Sequence, residues 1–588
     1  MRDFRFAFYS IAVLGLNLAS IVLGLVYLVF PGQSVFWDFC GWLFLASWIS
    51  TIILFLFVTW NAGSVTIIGE WVSLFGYVTL AVLGFSAFVM FGASFLLSIS
   101  VSELGGPLAV LYGGFFVCTV VNSFFAFMVA RQFGVSSDSA SHVENKIGVV
   151  LVEKVRFLVN RRVLFVRVGV LLVCAVVVGL MLYFAVLCLA GVWLGAYSLS
   201  EAGVFNGVMG VVSGSFGWLF SVLAWSAAAG GVKILRRLRL PRVSVVFGLL
   251  GLLVGSILLG PMLAVPLMAS DVDIRFGEAY GTDWESRIPV SALPYLKSTQ
   301  LVAADYFLPR PLGDCVVLKN ISFFNGSGEF DSGLQLFFDA YLPPSNSGSL
   351  PGANSVIIRI HGGGWTTGDK GIGNMPLMNR YFAAQGYCVF DIQYGLSNES
   401  RILSFLQGLS PENVRGNYSI NDMVGHVGLF CKYLEAHHGE YNANLDSVFI
   451  SGGSAGGHLT CVAALAIAGG DYSSLFGSGI TIKGFVPFYP ANNAARAVDG
   501  GISNPEFYDP TLLVSADSPP CLVYQGSQDG LVDPQGAQNL KNQYTSQGNR
   551  ACMVVTLPFA GHGSDIAFYG YYNQFFLYYM ERFLYLHR

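Results

Sequence analysis

Residues 451–460 read SGGSAGGHLT, and glycines flank Ser454 on both sides. The apolar run SVFI precedes this stretch and the Ala-rich run CVAALAIA follows it, so the pattern predicts a strand, a tight turn and a helix. A serine on such a turn is exposed above a parallel sheet, and Gly452, Gly453 and Gly456 avoid the Cβ clashes that the turn would otherwise create. Because the chain has 69 glycines, the motif indicates catalysis only if the rest of the chain supplies its partners.

The N-terminal half, residues 1–268, is far more apolar than the rest. The chain of 588 residues is 54% hydrophobic and 11% charged, with a mean hydropathy of +0.60. This composition is too apolar for a soluble protein, and the length allows two domains. We predict seven membrane-spanning helices, the first a retained anchor because its apolar run is too long for a cleaved signal sequence. Their approximate limits are 8–30, 36–58, 72–99, 107–130, 164–195, 204–229 and 244–268.

Positive charges orient these predicted helices. Lys and Arg cluster at the N-terminus and in two loops, and the positive-inside bias places all three clusters in the cytoplasm. Seven spans then put everything after residue 268 in the lumen or outside the cell. The clusters are Arg2 and Arg5; Arg131, Lys146, Lys154, Arg156, Arg161 and Arg162; and Lys233, Arg236, Arg237, Arg239 and Arg242.

Four Asn-x-Ser sequons are consistent with the same orientation. They lie at Asn320, Asn325, Asn398 and Asn417, all in the half that the charges place outside. Chance tripeptides in polar surface loops are the alternative. If the source is a eukaryote, the sequons predict a glycoprotein with a lumenal or extracellular C-terminal domain.

The C-terminal half changes to short apolar runs that alternate with helical stretches. This pattern predicts an α/β domain with a mostly parallel sheet and helices on both faces. We expect the catalytic domain at 313–588, after a linker at 269–312. The six predicted strands are 355–360, 387–394, 447–452, 482–490, 520–526 and 551–558.

A second glycine-rich motif, HGGGW, directly follows the first of these strands. His361, Gly362, Gly363, Gly364 and Trp365 therefore lie at the carboxyl edge of the sheet, where ligands bind in open α/β folds. Backbone N–H groups of such a turn suit an oxyanion, and a merely flexible loop is the alternative.

We identify the candidate base and acid from their order in the chain and by eliminating the other histidines. In this kind of fold the base comes late in the chain, after the acid. His458 lies one helical turn after Ser454 and His587 is the penultimate residue, which leaves His562 in FAGHGSD. Asp529 lies just beyond a predicted strand in PCLVYQGSQDGLVDP, and Asp533 is the alternative acid.

Four ordered motifs, HGGGW, GGSAGG, QGSQDGLVDP and AGHG, resemble the hormone-sensitive-lipase-like carboxylesterase branch of the α/β-hydrolases, and also the prenylcysteine methylesterases. The resemblance covers roughly residues 313–588. It implies Ser454 as nucleophile, Asp529 as acid and His562 as base, with an oxyanion hole formed by N–H groups. The implied N–H donors are Gly363, Gly364 and Ala455.

The segment after FDIQY departs from that family pattern. Its stretch RILSFLQGL, residues 401–409, has a helical apolar stripe that would cover the site, contact the bilayer or pack on the domain surface.

These features predict a membrane-anchored serine hydrolase that cleaves lipophilic carboxylic esters. An acyltransferase with the same triad and a transporter or receptor with a binding-only domain are the alternatives. The expected partners are an ester, lipid or lipid-linked, and the bilayer, with no nucleic acid. We expect no cofactor and no metal, since the chain has no CxxC and no His/Cys spacing suited to zinc.

Overall fold

The N-terminal half forms a bundle of long apolar helices. The computed structural model describes residues 2–61, 67–99, 105–134, 148–195, 201–328, 331–344, 350–373, 375–398, 410–499 and 503–588. Seven helices in these ranges are long and apolar enough to cross a membrane, as predicted. The helices of this half are α1 (Arg2–Val29), α2 (Val35–Asn61), α3 (Ile67–Ile99), α4 (Gly105–Gly134), α5 (Gly148–Gly195), α6 (Glu201–Ser215), α7 (Gly217–Arg237) and α8 (Pro241–Leu267).

The limits predicted for the sixth span, 204–229, are wrong. The sixth helix of spanning length is α7, and α6 is a separate shorter helix. The backbone breaks at Phe216, where φ is −116° and ψ is 16°. Beyond the break, Gly217 packs directly on the carbonyl oxygen of Leu258, whereas α6 packs on the C-terminal half. Tertiary contacts, and not hydropathy, therefore divide this apolar stretch.

The basic residues and the C-terminal half lie at opposite ends of the bundle. Tyr27 at the end of α1 donates a hydrogen bond to Asp305, and Tyr112 near the start of α4 donates to the carbonyl of Pro309. Arg131 lies in the last turn of α4, on the order of 30 Å along the helix from Tyr112. Arg236 and Arg237 likewise end α7, and Lys233 belongs to the same helix instead of a loop. Lys146 lies outside the described residues.

An eight-stranded sheet forms the centre of the C-terminal half. Its order is β1-β2-β4-β3-β7-β8-β9-β10; β2 is antiparallel to both of its neighbours, and the other pairs are parallel. All six predicted strands are confirmed. The strands are β1 (Val316–Asn325), β2 (Gln335–Leu342), β3 (Ser355–Ile360), β4 (Cys388–Ile392), β5 (Leu396–Ser397), β6 (Arg415–Gly416), β7 (Asn444–Gly453), β8 (Ile482–Phe488), β9 (Cys521–Gly526) and β10 (Cys552–Leu557).

Helices cover both faces of this sheet. Alternate residues of a strand point to opposite faces, so Ile357 and Phe449 enter one apolar cluster while Ile358 and Ile450 enter another. The helices are α9 (Ala269–Tyr280), α10 (Met375–Ala383), α11 (Ile420–His437), α12 (Ala455–Gly469), α13 (Ser473–Phe476), α14 (Arg496–Asp499), α15 (Pro505–Tyr508), α16 (Gln535–Ser546) and α17 (Tyr571–His587).

The two halves share one apolar core. The cluster that contains Ile357 and Phe449 also contains side chains of α1–α4, α7 and α17. The segment expected as a linker, 269–312, takes part in this core. Its residues Val302 and Phe307 are fully buried, and the Phe307 ring contacts those of Trp48 and Trp218.

Candidate active site

Ser454 lies on a strained turn between β7 and α12. Its φ of 58° falls in the left-handed region, and its N–H donates to the carbonyl of Phe488 over 2.9 Å. A Cβ on either Gly452 or Gly456 would overlap the carbonyl oxygen of Ile360, so these positions require glycine. The predicted strand, turn and helix around Ser454 are therefore present.

A chain of hydrogen bonds joins Ser454, His562 and Asp529. The Nε2 atom of His562 lies 3.0 Å from the Ser454 Oγ, and its Nδ1 lies 2.8 Å from Asp529 Oδ2. Because an ionised carboxylate only accepts, Nδ1–H donates to Asp529, and Nε2 is left to accept the Ser454 proton. The His562 side chain is 12% exposed and that of Asp529 is fully buried.

The structure brings Asp529, and not Asp533, to the histidine. The second Asp529 oxygen accepts from the N–H groups of Leu531 (3.0 Å) and Val532 (2.9 Å), which hold the carboxylate in place. Asp533 instead accepts from the N–H of Gln535 over 2.9 Å, at the start of α16.

The HGGGW turn lies directly against Ser454. A Cβ on Gly362 would lie 3.3 Å from the Ser454 Cβ, and Gly363 and Gly364 have positive φ values of 120° and 62°. Ala455 is the first residue of α12, where backbone N–H groups have no acceptor within the helix. The HGGGW turn and the N-terminus of α12 therefore both adjoin Ser454, and their backbone N–H groups are candidate donors to an oxyanion.

His361 packs beneath the HGGGW turn, between Gly362 and Tyr394. It is fully buried, its ring stacks on Tyr394 at 4.4 Å, and its Nδ1 lies 2.8 Å from the Gly362 carbonyl oxygen. Burial lowers the pKa of His361, which favours the neutral ring. Because a carbonyl oxygen only accepts, Nδ1–H is the donor to it. Trp365 is buried against His458, with ring centres 5.5 Å apart.

Tyr489 is a residue of the site that the sequence analysis missed. It directly follows β8, and its ring centre lies 4.5 Å from that of His562. Its hydroxyl donates to Asp565 Oδ1 over 2.8 Å. One feature of the sequence could have identified Tyr489: it lies just beyond the carboxyl end of a predicted parallel strand, at the edge of the sheet where ligands bind.

The remaining predicted positions lie away from this centre. Asn320, Asn325, Asn398 and Asn417 are all exposed, and the apolar stripe 401–409 lies outside the described residues. Within the part of the chain that the structure describes, no group of three His, Cys, Asp or Glu side chains is arranged to hold a metal.

One family model and several known proteins are similar to part of this chain. A family model described as BD-FAE matches residues 338–409. "Probable carboxylic ester hydrolase LipM" of Mycobacterium tuberculosis is 29% identical over 238 residues, which are 37% of this chain and 51% of that protein. "Esterase LipC" of the same organism is 23% identical over 236 residues, 36% of this chain and 53% of that protein. A solved structure of Thermogutta terrifontis esterase 2 phosphorylated by paraoxon is 20% identical, covers 43% of this chain and 86% of that chain, and aligns with a TM-score of 0.32.

The chain spans about half the length of the curated relatives it matches. The family model and these relatives confirm the resemblance of the C-terminal half to the esterase branch of the α/β-hydrolases.

Proposed function

We propose that this protein is a membrane-anchored serine hydrolase that cleaves carboxylic esters through Ser454, His562 and Asp529. The hydrogen-bond chain that joins the three side chains carries this proposal. The names of the curated relatives, a carboxylic ester hydrolase and esterases, support the same reaction class.

The geometry supports a reaction in two steps, acylation of Ser454 and hydrolysis of the acyl-serine. The Ser454 Oγ attacks the ester carbonyl carbon while its proton passes to His562 Nε2, and the buried Asp529 carboxylate stabilises the resulting imidazolium. Collapse of the tetrahedral adduct breaks the carbon–oxygen bond, and His562 returns the proton to the leaving alcohol. Water then attacks the acyl-serine with His562 again as base, and the products are the acid and free Ser454.

Negative charge on the carbonyl oxygen develops during both attacks. The N–H groups of Gly363, Gly364 and Ala455 are the donors we propose for it, since the HGGGW turn lies against Ser454 and Ala455 directly follows the serine at the start of α12. Loss of one such donor typically costs on the order of 10²–10³ in kcat.

We propose further that the ester is lipophilic and resident in the membrane. The end of α5 and helix α6 contact the loops that carry Asp529 and His562, which places the reacting groups beside the apolar bundle. On these helices Trp193 is 82% exposed and Phe205 is 55% exposed, as expected of side chains that face a membrane interface. A site held there meets a lipid ester at high effective concentration.

The Ser454→Ala variant tests the reaction. Purified full-length protein should hydrolyse p-nitrophenyl butyrate, and the variant should lose on the order of 10⁶ in kcat with unchanged folding. A fluorophosphonate probe should label the native protein and leave the variant unlabelled. Turnover by the variant at the native rate would exclude Ser454 as the nucleophile.

A second comparison tests the substrate class. The full chain in phospholipid vesicles should cleave a long-chain acylglycerol in the same bilayer with higher kcat/KM than p-nitrophenyl butyrate in the surrounding water. Preference for the water-soluble ester under these conditions would contradict a lipophilic substrate. Added alcohol acceptors, followed by analysis for new esters, would distinguish hydrolysis from acyl transfer.

A further inference from the structure

A glycine-lined face of α6 packs against the two loops that carry Asp529 and His562. Gly203, Gly207, Gly210 and Gly214 recur at intervals of three and four residues, so they share one side of the helix. We name residues 526–533 the Asp529 loop and residues 558–565 the His562 loop.

This helix face touches both loops at close range. A Cβ on Gly207 would overlap the side chain of Leu531 in the Asp529 loop. In the His562 loop, a Cβ on Gly561 would lie 2.7 Å from the carbonyl oxygen of Gly210, and a Cβ on Gly214 would lie 3.2 Å from that of Phe559. A side chain on Gly207 or Gly214 of the helix, or on Gly561 of the loop, would therefore prevent so close an approach.

The end of α5 adds a backbone contact. The helix kinks at Ala190, where φ is −137°, and the next residue, Gly191, faces the residue before Asp529. A Cβ on Gly191 would lie 2.6 Å from the carbonyl oxygen of Gln528. Because that atom is backbone, rotation of a side chain cannot relieve the overlap.

The two loops are also tied to each other. The N–H of Gln528 donates to the carbonyl of Ala560 over 2.8 Å, and the N–H of Phe559 donates to Ser527 Oγ over 3.0 Å. A shift of the Asp529 loop is therefore passed to the loop of the base.

We propose that the end of α5 and the glycine face of α6 are positioning elements of the active site. They hold the Asp529 and His562 loops at the spacing that Ser454 requires, so the apolar bundle is a structural part of the catalytic site and does more than anchor it. This inference rests on the proposed role of the three side chains. Its energetic basis is that a misplacement of about 1 Å can cost about 10²-fold in rate.

Matched alanine variants of the full-length protein test the proposal. Gly191→Ala and Gly207→Ala insert a methyl group against the Asp529 loop. Gly169→Ala and Gly179→Ala, both on α5 and before its kink, are the controls, because a Cβ at either position meets no atom within 4 Å. We expect kcat on p-nitrophenyl butyrate to fall by about 10-fold to 100-fold in the first pair, with KM and the thermal midpoint near native values. The controls should match the native protein.

A compensating change separates positioning from general damage. Leu531→Ala removes the side chain that a methyl group at position 207 would meet, so the double variant Gly207→Ala/Leu531→Ala should regain kcat relative to Gly207→Ala. Fluorophosphonate labelling of Ser454 should slow and recover in parallel with kcat.

Native kcat in both Gly191→Ala and Gly207→Ala would overturn the proposal, as would equal losses in test and control variants. If the Gly191→Ala protein does not fold, the Gly207→Ala and Gly207→Ala/Leu531→Ala variants test the proposal on their own. Absence of Ser454-dependent activity in the native protein would instead overturn the proposed function, so the two failures are distinguishable.

Discussion

The hydroxyl of Ser215, the last residue of α6, donates a bifurcated hydrogen bond, to the carbonyl oxygen of Val211 in its own helix (2.7 Å) and to that of Ser564 (3.1 Å), which lies 349 positions away. Ser564 lies two residues beyond His562, so the apolar half of the chain bonds directly to the loop of the proposed base. This bond is independent of the glycine contacts of α6. Both relationships indicate that the bundle and the hydrolase fold act as one structural unit.

Asp529 and Asp533 provide a matched pair of carboxylates. Asp529→Asn should lower kcat by on the order of 10⁴-fold, because an amide in place of the carboxylate no longer stabilises the imidazolium or selects the required tautomer. Asp533→Asn should leave kcat unchanged, since Asp533 accepts from the N–H of Gln535 at the start of α16 whereas His562 is bonded to Asp529. Rates measured on p-nitrophenyl butyrate check both, and a larger loss from Asp533→Asn would reassign the acid.

We predict that the C-terminal half lies on the lumenal or extracellular side. The positive helix ends and this half lie at opposite ends of the bundle, and the bias of Lys and Arg places those ends in the cytoplasm. A protease added to the cytoplasmic face of sealed vesicles should spare residues 269–588, and detergent should abolish the protection. Digestion of that half in intact vesicles would invert the orientation.

Glycosylation gives a second measure of orientation. In a eukaryotic host, endoglycosidase treatment should reduce the apparent mass of the native protein, because the four sequon asparagines are exposed. A variant with all four asparagines changed to Gln should show no such shift. A mass unaffected by endoglycosidase would leave the sequons as chance tripeptides.

We predict that the folded protein loses stability in mild acid because His426 is buried. Its Nδ1 accepts the N–H of Gly395 over 3.1 Å, and burial lowers its pKa from 6.5 to about 4. The unfolded chain therefore binds a proton first as the pH falls from 6.5 to 4, so the free energy of unfolding decreases across this window, by up to about 3 kcal/mol for this group. The thermal midpoint should drop less between pH 7.5 and 5 in His426→Gln than in the native protein, and equal drops would contradict this role.

Glu581 on α17 links three parts of the C-terminal half. It is fully buried and accepts from the Lys297 N–H (2.8 Å), the Tyr381 hydroxyl (2.5 Å) and the Gln385 amide (2.5 Å). Glu581→Leu removes the acceptor of all three donors, although Gln385 also donates to the carbonyl of Tyr295, and each donor left unpaired costs about 1–3 kcal/mol. Thermal denaturation in detergent should show a large drop in midpoint for Glu581→Leu and a smaller one for Glu581→Gln, which keeps an acceptor; equal midpoints in both would contradict the argument.

Local features of this protein were predictable from the sequence alone. The turn at Ser454, the HGGGW turn and the six parallel strands depend on glycine placement and on short apolar runs, which are properties of neighbouring residues. The count of seven apolar helices depends likewise on hydropathy over about 20 residues. Strand β1 escaped prediction because its exposed and half-buried residues at the sheet edge give no clear apolar run.

Other features depend on residues that are far apart in the chain, and only the tertiary structure determines them. Asp529 and Asp533 have similar sequence surroundings, and only the folded loops bring one of them within 2.8 Å of the imidazole of His562. The helix break at Phe216 adjoins the contact of Gly217 with Leu258, and α6 packs on both loops through residues more than 300 positions away, such as Leu531. Hydropathy indicates that a segment is apolar but not which residues it packs against, so the contact between the apolar bundle and the proposed active site could be found only in the fold.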